Sequence, residues 1–198
     1  MEMKILVTGQ NGFLMRNILP ALREYHEIIE FNHTQYSFNG YSGIDLILHF
    51  ASPSDSYDFK DKMNMAIAMV DLTQAMVNIA ERNQCKLVFA SSLAADFLQD
   101  DYGVYKKAME QYIQALVPDH LILRLPRIYG RDRNKGLMKK IRQNEVPDED
   151  WDKVIGYADI SDFYVWFMNN LNKLGIQYYT GTIKYNTIRE IKEIYCES

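Results

Sequence analysis

The chain has 198 residues, a net charge of −4 and a hydrophobic fraction of 47%, enough for one hydrophobic core and too little for two generous domains. The acidic balance gives no electrostatic case for nucleic acid. No apolar run approaches the ~20 residues that span a bilayer, so no membrane partner is expected, and no signal-peptide pattern precedes the first predicted strand. Cys85 and Cys196 stand far apart and near no group of histidines. They read as reduced thiols of a cytoplasmic protein, with no metal site.

Strand-like apolar runs fall at 4–8, 27–31 (EIIEF), 45–50 (DLILHF), 86–90 (KLVFA) and 119–124 (DHLILR), and helical patterns lie between them at about 13–24, 58–82 and 102–117. Such alternation predicts an α/β fold, a Rossmann-like doubly wound parallel sheet covered on both faces. Within 58–82, Met65, Met69, Leu72, Met76 and Ile79 recur at three- and four-residue steps, a stripe that belongs to a core or a subunit interface. After residue 130 the pattern loosens. Helices are expected at about 134–143 and 159–173, a strand at 154–157 and an exposed acidic loop from Asn144 to Asp152. Thr187-Ile188-Arg189-Glu190 has capping-box spacing and would start a last helix reaching Tyr195. The expected organisation is a dinucleotide-binding domain over 1–130 and a small C-terminal α/β cap over 131–198, or one continuous domain.

The stretch ILVTGQNGFLMRN at 5–17 runs from a strand through Gly9 and Gly12 into a helix. There the unpaired backbone N–H groups of Asn11, Gly12, Phe13 and Leu14 and the positive end of the helix dipole converge, and a diphosphate satisfies both. Met15 stands where a third glycine would let helix and strand pack closely, so a displaced helix or weakened affinity is expected rather than loss of binding. After the second strand comes Phe31-Asn32-His33, where an acidic residue would take the ribose hydroxyls. Asn32 can still hydrogen-bond one. Arg16 could meet a 2′-phosphate or be solvated surface, and NAD against NADP stays open. The short stretch before the third strand leaves little room for a crossover helix and abbreviates the adenine side.

The fourth strand ends in Val88-Phe89-Ala90-Ser91-Ser92, and Tyr102-Gly103-Val104-Tyr105-Lys106 follows ten residues later. Tyr and Lys four apart share a helix face, and an ammonium beside a phenol of ordinary pKa ~10 favours the phenolate. In this order the chain resembles the extended short-chain dehydrogenase/reductase superfamily, in particular its NAD-dependent epimerase/dehydratase family acting on nucleotide sugars. The matching pieces are TGQNGFL at 8–14, DLILHFAS at 45–52, VFASS at 88–92, YGVYKKAMEQ at 102–111, RLPRIYG at 124–130 and, more weakly, VIGYADISDF at 154–163.

The resemblance implies an NAD- or NADP-dependent enzyme in which Tyr102 exchanges the proton of a sugar hydroxyl. Lys106 also holds the nicotinamide ribose, and Ser92, or as second choice Ser91, hydrogen-bonds the reacting oxygen. It further implies cofactor contacts at Ala51 and Pro126, a sugar or nucleotide-sugar substrate, and a homodimer through the helices at 58–82 and 102–117. Tyr105 and Lys107 are the alternatives on other helix faces. His49 reads as a hydrogen-bonded structural residue, Arg124 and Arg127 as phosphate anchors or surface charges, and Asp159 and Asp162 as helix-start residues. The segment from Ser92 to Tyr102 and the cap are shorter than the family pattern, and no Asp-Glu pair follows Ser92. A reductase or epimerase is therefore expected ahead of a dehydratase. The competing reading is a non-catalytic dinucleotide-binding module serving regulation or assembly.

Overall fold

The structure, a computed structural model, describes residues 2–32, 40–51 and 62–196, and for 62–67 the backbone alone. His33, Ser52, the first residues of the 58–82 helix and the Met65 side chain lie outside the described residues. The chain forms two compact units, Met1–Leu125 with Asn170–Tyr178, and Pro126–Asn169 with Tyr179–Ser198.

In the first unit β1 (Lys4–Thr8), α1 (Phe13–Arg23), β2 (Glu27–Glu30), β3 (Leu46–His49), α2 (Lys62–Asn83), β4 (Lys86–Ser92), α3 (Ala94–Phe97), α4 (Asp101–Leu116) and β5 (His120–Leu125) follow in sequence. A further strand, β8 (Gly175–Tyr178), joins from beyond residue 170. The six strands run parallel in the order β2-β1-β3-β4-β5-β8, the Rossmann-like sheet expected. Its edge strand β8 was not foreseen, because Gly-Ile-Gln-Tyr is short and carries no buried apolar run.

Strand alternation divides the apolar residues between two faces. Leu6, Ile47, Leu87, Phe89 and Ile122 join one core with Met69, Met76 and Ile79 of α2 and Met109 and Ile113 of α4. The methionine stripe is thus core where its side chains are described. On α1, Met15, Ile18, Leu19 and Leu22 form the buried stripe. Met15 is 1% exposed while Asn11 and Gly12 are exposed, so the thioether turns into the core and leaves the turn before the helix open.

The second unit contains β6 (Ile128–Tyr129), α5 (Gly136–Arg142), β7 (Val154–Asp159), α6 (Ile160–Asn170), β9 (Lys184–Thr187) and α7 (Ile188–Cys196), with sheet order β6-β7-β9. Tyr129, Met138, Ile141, Tyr157, Ile188 and Ile191 pack into its core. The capping box is present: Thr187 N–H donates to Glu190 Oε2 at 2.7 Å and Glu190 N–H to Thr187 Oγ1 at 3.2 Å. Asp159 Oδ1 accepts from Ser161 N–H at 3.0 Å at the start of α6, as expected of a helix-start residue. The acidic stretch at 144–152 differs from a plain loop, since Asp148–Asp150 make a 3₁₀ turn and Val146 is buried in the core. Among the described residues no helix is long and apolar enough to cross a membrane.

Candidate active site

Chain order turns back between β1 and β3: β2 lies on one side of β1, and β3 to β5 continue on the other. In open parallel sheets ligands bind at this switch point, beyond the carboxyl ends of the strands. The turn after β1 fits that role. Gly9 has φ +75°, and a Cβ there would lie 2.7 Å from Ala51 N and 2.8 Å from the Phe50 carbonyl carbon. The ends of β1 and β3 therefore touch through bare backbone. Gly12 N–H donates to Gly9 O at 2.8 Å, so of the four amides expected to be unpaired this one is spent inside the turn; Gly12 is the N-cap of α1 with no side-chain cap and no acidic residue in the first turn. That is the polarity a diphosphate needs. Asn32 lies two residues beyond the end of β2, exposed, its N–H donating to Tyr41 Oη at 3.2 Å. Replacing Gly9 by Ala is expected to destabilise the fold by about 1–3 kcal/mol through left-handed strain alone, with the collision at Ala51 adding to it. Urea denaturation measures this, and an unchanged midpoint would count against the turn described.

His49 braces the same turn. Thr73 Oγ1 donates to Met69 O at 2.8 Å and so accepts from His49 Nε2–H at 3.0 Å. His49 Nδ1 then accepts from the Thr8 hydroxyl at 2.8 Å, and Thr8 Oγ1 accepts from Ala51 N–H at 3.1 Å. Every partner is used, as a structural histidine requires. Burial, aided by the Lys106 charge, holds the His49 pKa down to about 3. The unfolded chain takes up this proton near 6.5 and the folded one near 3, so unfolding is increasingly favoured as pH falls through that window. The melting temperature of the wild type is expected to fall more steeply across it than that of His49→Gln; parallel curves would refute the neutral assignment.

The second part of the site is where α4 meets the end of β4. Asp100 caps the helix, its Oδ1 accepting from Gly103 N–H at 2.8 Å. A Cβ on Gly103 would stand 2.4 Å from Ala94 O, so only glycine lets the first turn seat against α3. Tyr102 and Lys106 project from this helix into the buried side. Lys106 is 1% exposed. Its Nζ donates to Ala90 O at 2.7 Å and lies 4.7 Å from the Phe89 ring centre and 5.7 Å from that of Tyr102. Burial pushes its pKa down to about 7, with the Glu110 carboxylate opposing.

The two serines differ in their bonds. Ser91 is buried and spends its proton on Glu110 Oε1 at 2.5 Å. Ser92 is half-buried and its Oγ accepts from Ala94 N–H at 3.2 Å, a bond that does not use the hydroxyl proton. Of the alternatives, Tyr105 packs against the core and Lys107 pairs with Glu110 at 3.8 Å.

Arg124 is neither a phosphate anchor nor a surface charge. It is 2% exposed, its Nε and Nη2 donating to Glu110 Oε1 and Oε2 at 3.0 and 2.6 Å. Its Nη1 donates to Asp96 and to the Tyr178 hydroxyl. Glu110 was not singled out in the sequence, although 102, 106 and 110 share one helix face. Arg127 is exposed, and Pro126, half-buried, opens the second unit. Cys85 and Cys196 are free thiols, and burial pushes the Cys85 pKa up to about 12, which leaves that thiol inert.

The fold thus defines a class, the Rossmann-like α/β sheet with its glycine turn at the switch point. Comparisons with known proteins add the particular relatives. No family model matches the chain. Over 143 residues it is 32% identical to the UDP-2-acetamido-2,6-beta-L-arabino-hexul-4-ose reductase of Pseudomonas aeruginosa, covering 65% of this chain and 37% of that protein. The chain therefore spans little more than a third of the length of this curated relative. Among solved structures, the dTDP-4-dehydrorhamnose reductase of Bacillus anthracis in complex with NADP aligns with TM-score 0.76 at 17% identity, over 100% of this chain and 81% of that one. The UDP-glucose 4-epimerase of Thermus thermophilus in complex with NAD aligns with TM-score 0.73 at 18% identity, over 98% and 83%. The chain resembles, in sequence and in fold, the extended short-chain dehydrogenase/reductases and their epimerase/dehydratase branch, as its motifs indicated.

Proposed function

We propose that the chain is an NAD(P)-dependent oxidoreductase or epimerase acting on a hydroxyl or ketone of a sugar or nucleotide sugar. The observation that carries this reading is the buried Lys106 ammonium, held by the Ala90 carbonyl beside the Tyr102 ring at the end of β4. When bound, the nicotinamide supplies the hydride acceptor or donor. Tyr102 takes or gives the hydroxyl proton, and Lys106 favours the phenolate by its charge. Ser92, whose proton the Ala94 bond leaves available, donates to the reacting oxygen. Asn11, Phe13 and Leu14 offer their amides to the diphosphate and Gly9 and Gly12 allow its close approach, Asn32 takes the adenosine ribose, and Ala51 and Lys106 the nicotinamide half. A homodimer is part of the proposal, as is a 4-keto sugar linked to UDP, which the name of the curated relative supports.

The test is a thermal-shift screen with NAD, NADP and UDP- or dTDP-linked sugars. A ligand at 100 times its Kd stabilises the native state by about 2.7 kcal/mol. A rise with a nicotinamide dinucleotide, followed by bleaching of the reduced cofactor on adding a UDP-linked 4-keto sugar, is the expected result. Cofactor binding with no bleaching by any sugar nucleotide would favour the module without catalysis.

A further inference from the structure

Helix α4 is tied to the sheet by Glu110 as well as by Lys106. Glu110 is 0% exposed. Its carboxylate accepts from Ser91 of β4 and takes both prongs of the Arg124 guanidinium of β5. One turn back, Lys106 reaches the Ala90 carbonyl of β4. The same Arg124 donates to Asp96 in the short segment between Ser92 and Tyr102, and to Tyr178 of β8, whose ring centre lies 5.2 Å from the guanidinium carbon. Tyr178 Oη donates to Asp96 Oδ1 at 3.2 Å. One cation therefore joins the helix that carries Tyr102 and Lys106, the segment that links Ser92 to that helix, and the edge of the sheet.

We propose that Arg124 and Glu110 are positioning residues of this site: they clamp α4 and the 93–101 segment to the ends of β4 and β5, and so set Ser92, Tyr102 and Lys106 relative to one another while keeping a carboxylate facing the Lys106 ammonium. The inference rests on the reading of Ser92, Tyr102 and Lys106 given above. A bidentate buried pair is a poor source of net stability, because desolvation offsets attraction, but it specifies one geometry. Among the described residues, the titratable groups that act on Lys106 include Tyr102 and Glu110 of α4 and His49 of β3, and β4 contributes the Ala90 carbonyl and the Phe89 ring. Behind Glu110 stand Arg124, Lys107, Asp96 and Tyr178. Glu110 is the carboxylate that supports the Lys106 charge against burial.

Glu110→Gln leaves a guanidinium buried against a neutral amide and is expected to lose stability. The double variant Arg124→Met with Glu110→Leu removes both ions, leaves no unpaired charge of the pair, and carries the test. Its melting temperature is expected within a few degrees of wild type. The pH titration of Lys106, followed by the ¹³Cε resonance of labelled lysine without cofactor and assigned with Lys106→Met, is expected to shift its midpoint down by at least about half a unit. A merely structural pair would leave that midpoint in place. With a UDP-linked 4-keto sugar and NADH or NADPH as probes, kcat is expected to fall at least tenfold with both KM values within threefold. A folded double variant that keeps either the wild-type midpoint or the wild-type kcat overturns the proposal. If Tyr102→Phe turns over these probes as fast as wild type, the catalytic reading fails instead, and the Lys106 titration still decides the clamp.

Discussion

Tyr102→Phe is expected to slow hydride transfer by a factor of about 10²–10⁴, the usual range for removal of a positioned acid or base, while leaving the fold and cofactor affinity in place. The ring stays in the core with Phe89 and Met109, and the helix start beneath it depends on Asp100 and Gly103, which the substitution does not touch. Only the hydroxyl is lost. Single-turnover absorbance of the reduced nicotinamide separates the two effects, since binding is read from the initial complex and chemistry from its decay. A Tyr102→Phe variant with the wild-type rate would remove the phenol from the reaction.

Lys106→Met is expected to abolish turnover and at the same time stabilise the protein. The ammonium is buried against Phe89 and the Ala90 carbonyl, and its pKa in the folded chain is about 7 against 10.5 when exposed. Between these values the unfolded chain binds the proton and the folded chain does not, so stability rises with pH from about 7 to 10.5 and is lowest below it. Methionine has similar length and no charge. The gain over wild type should therefore be largest below pH 7 and shrink through the window. Urea denaturation at several pH values measures it. A variant that loses both activity and stability at pH 6 would mean that the ammonium is a structural asset, which contradicts its placement for chemistry at the expense of the fold.

The elements that positioned the site were legible because each has its own local signal. Ile5 to Val7, Ile47 and Leu48, and Val88 to Ala90 are continuous apolar runs buried on both faces of the sheet. The Thr187–Glu190 box is a fixed spacing whose two bonds form as written. The Met15 anomaly had a local answer too, since a flexible thioether can turn into the core. What stayed hidden depends on pairing across the chain. Arg124 finds Glu110, Asp96 and Tyr178 only after β5 is laid beside β4 and β8 beside β5. Taken alone, an arginine at a strand end and a glutamate in a helix look like surface. The spacing Tyr102, Lys106, Glu110 was the available clue: polar groups at successive turns of one face must all be buried or all be solvated. Likewise β8 carries a glutamine and a half-exposed tyrosine, and nothing in four such residues distinguishes a sheet edge from a loop.

That late strand has a consequence for how the chain comes together. The backbone leaves the six-stranded layer after Leu125, builds most of another body, and returns only at Asn170 to lay Gly175–Tyr178 along His120–Leu125. A nascent chain that has emerged only as far as residue 125 carries β5 as a bare, strongly apolar border, its amide and carbonyl groups open to pairing with a neighbour. Truncation at that point is expected to yield self-associating material, and supplying residues 170–178 from a circularly permuted gene should cure it.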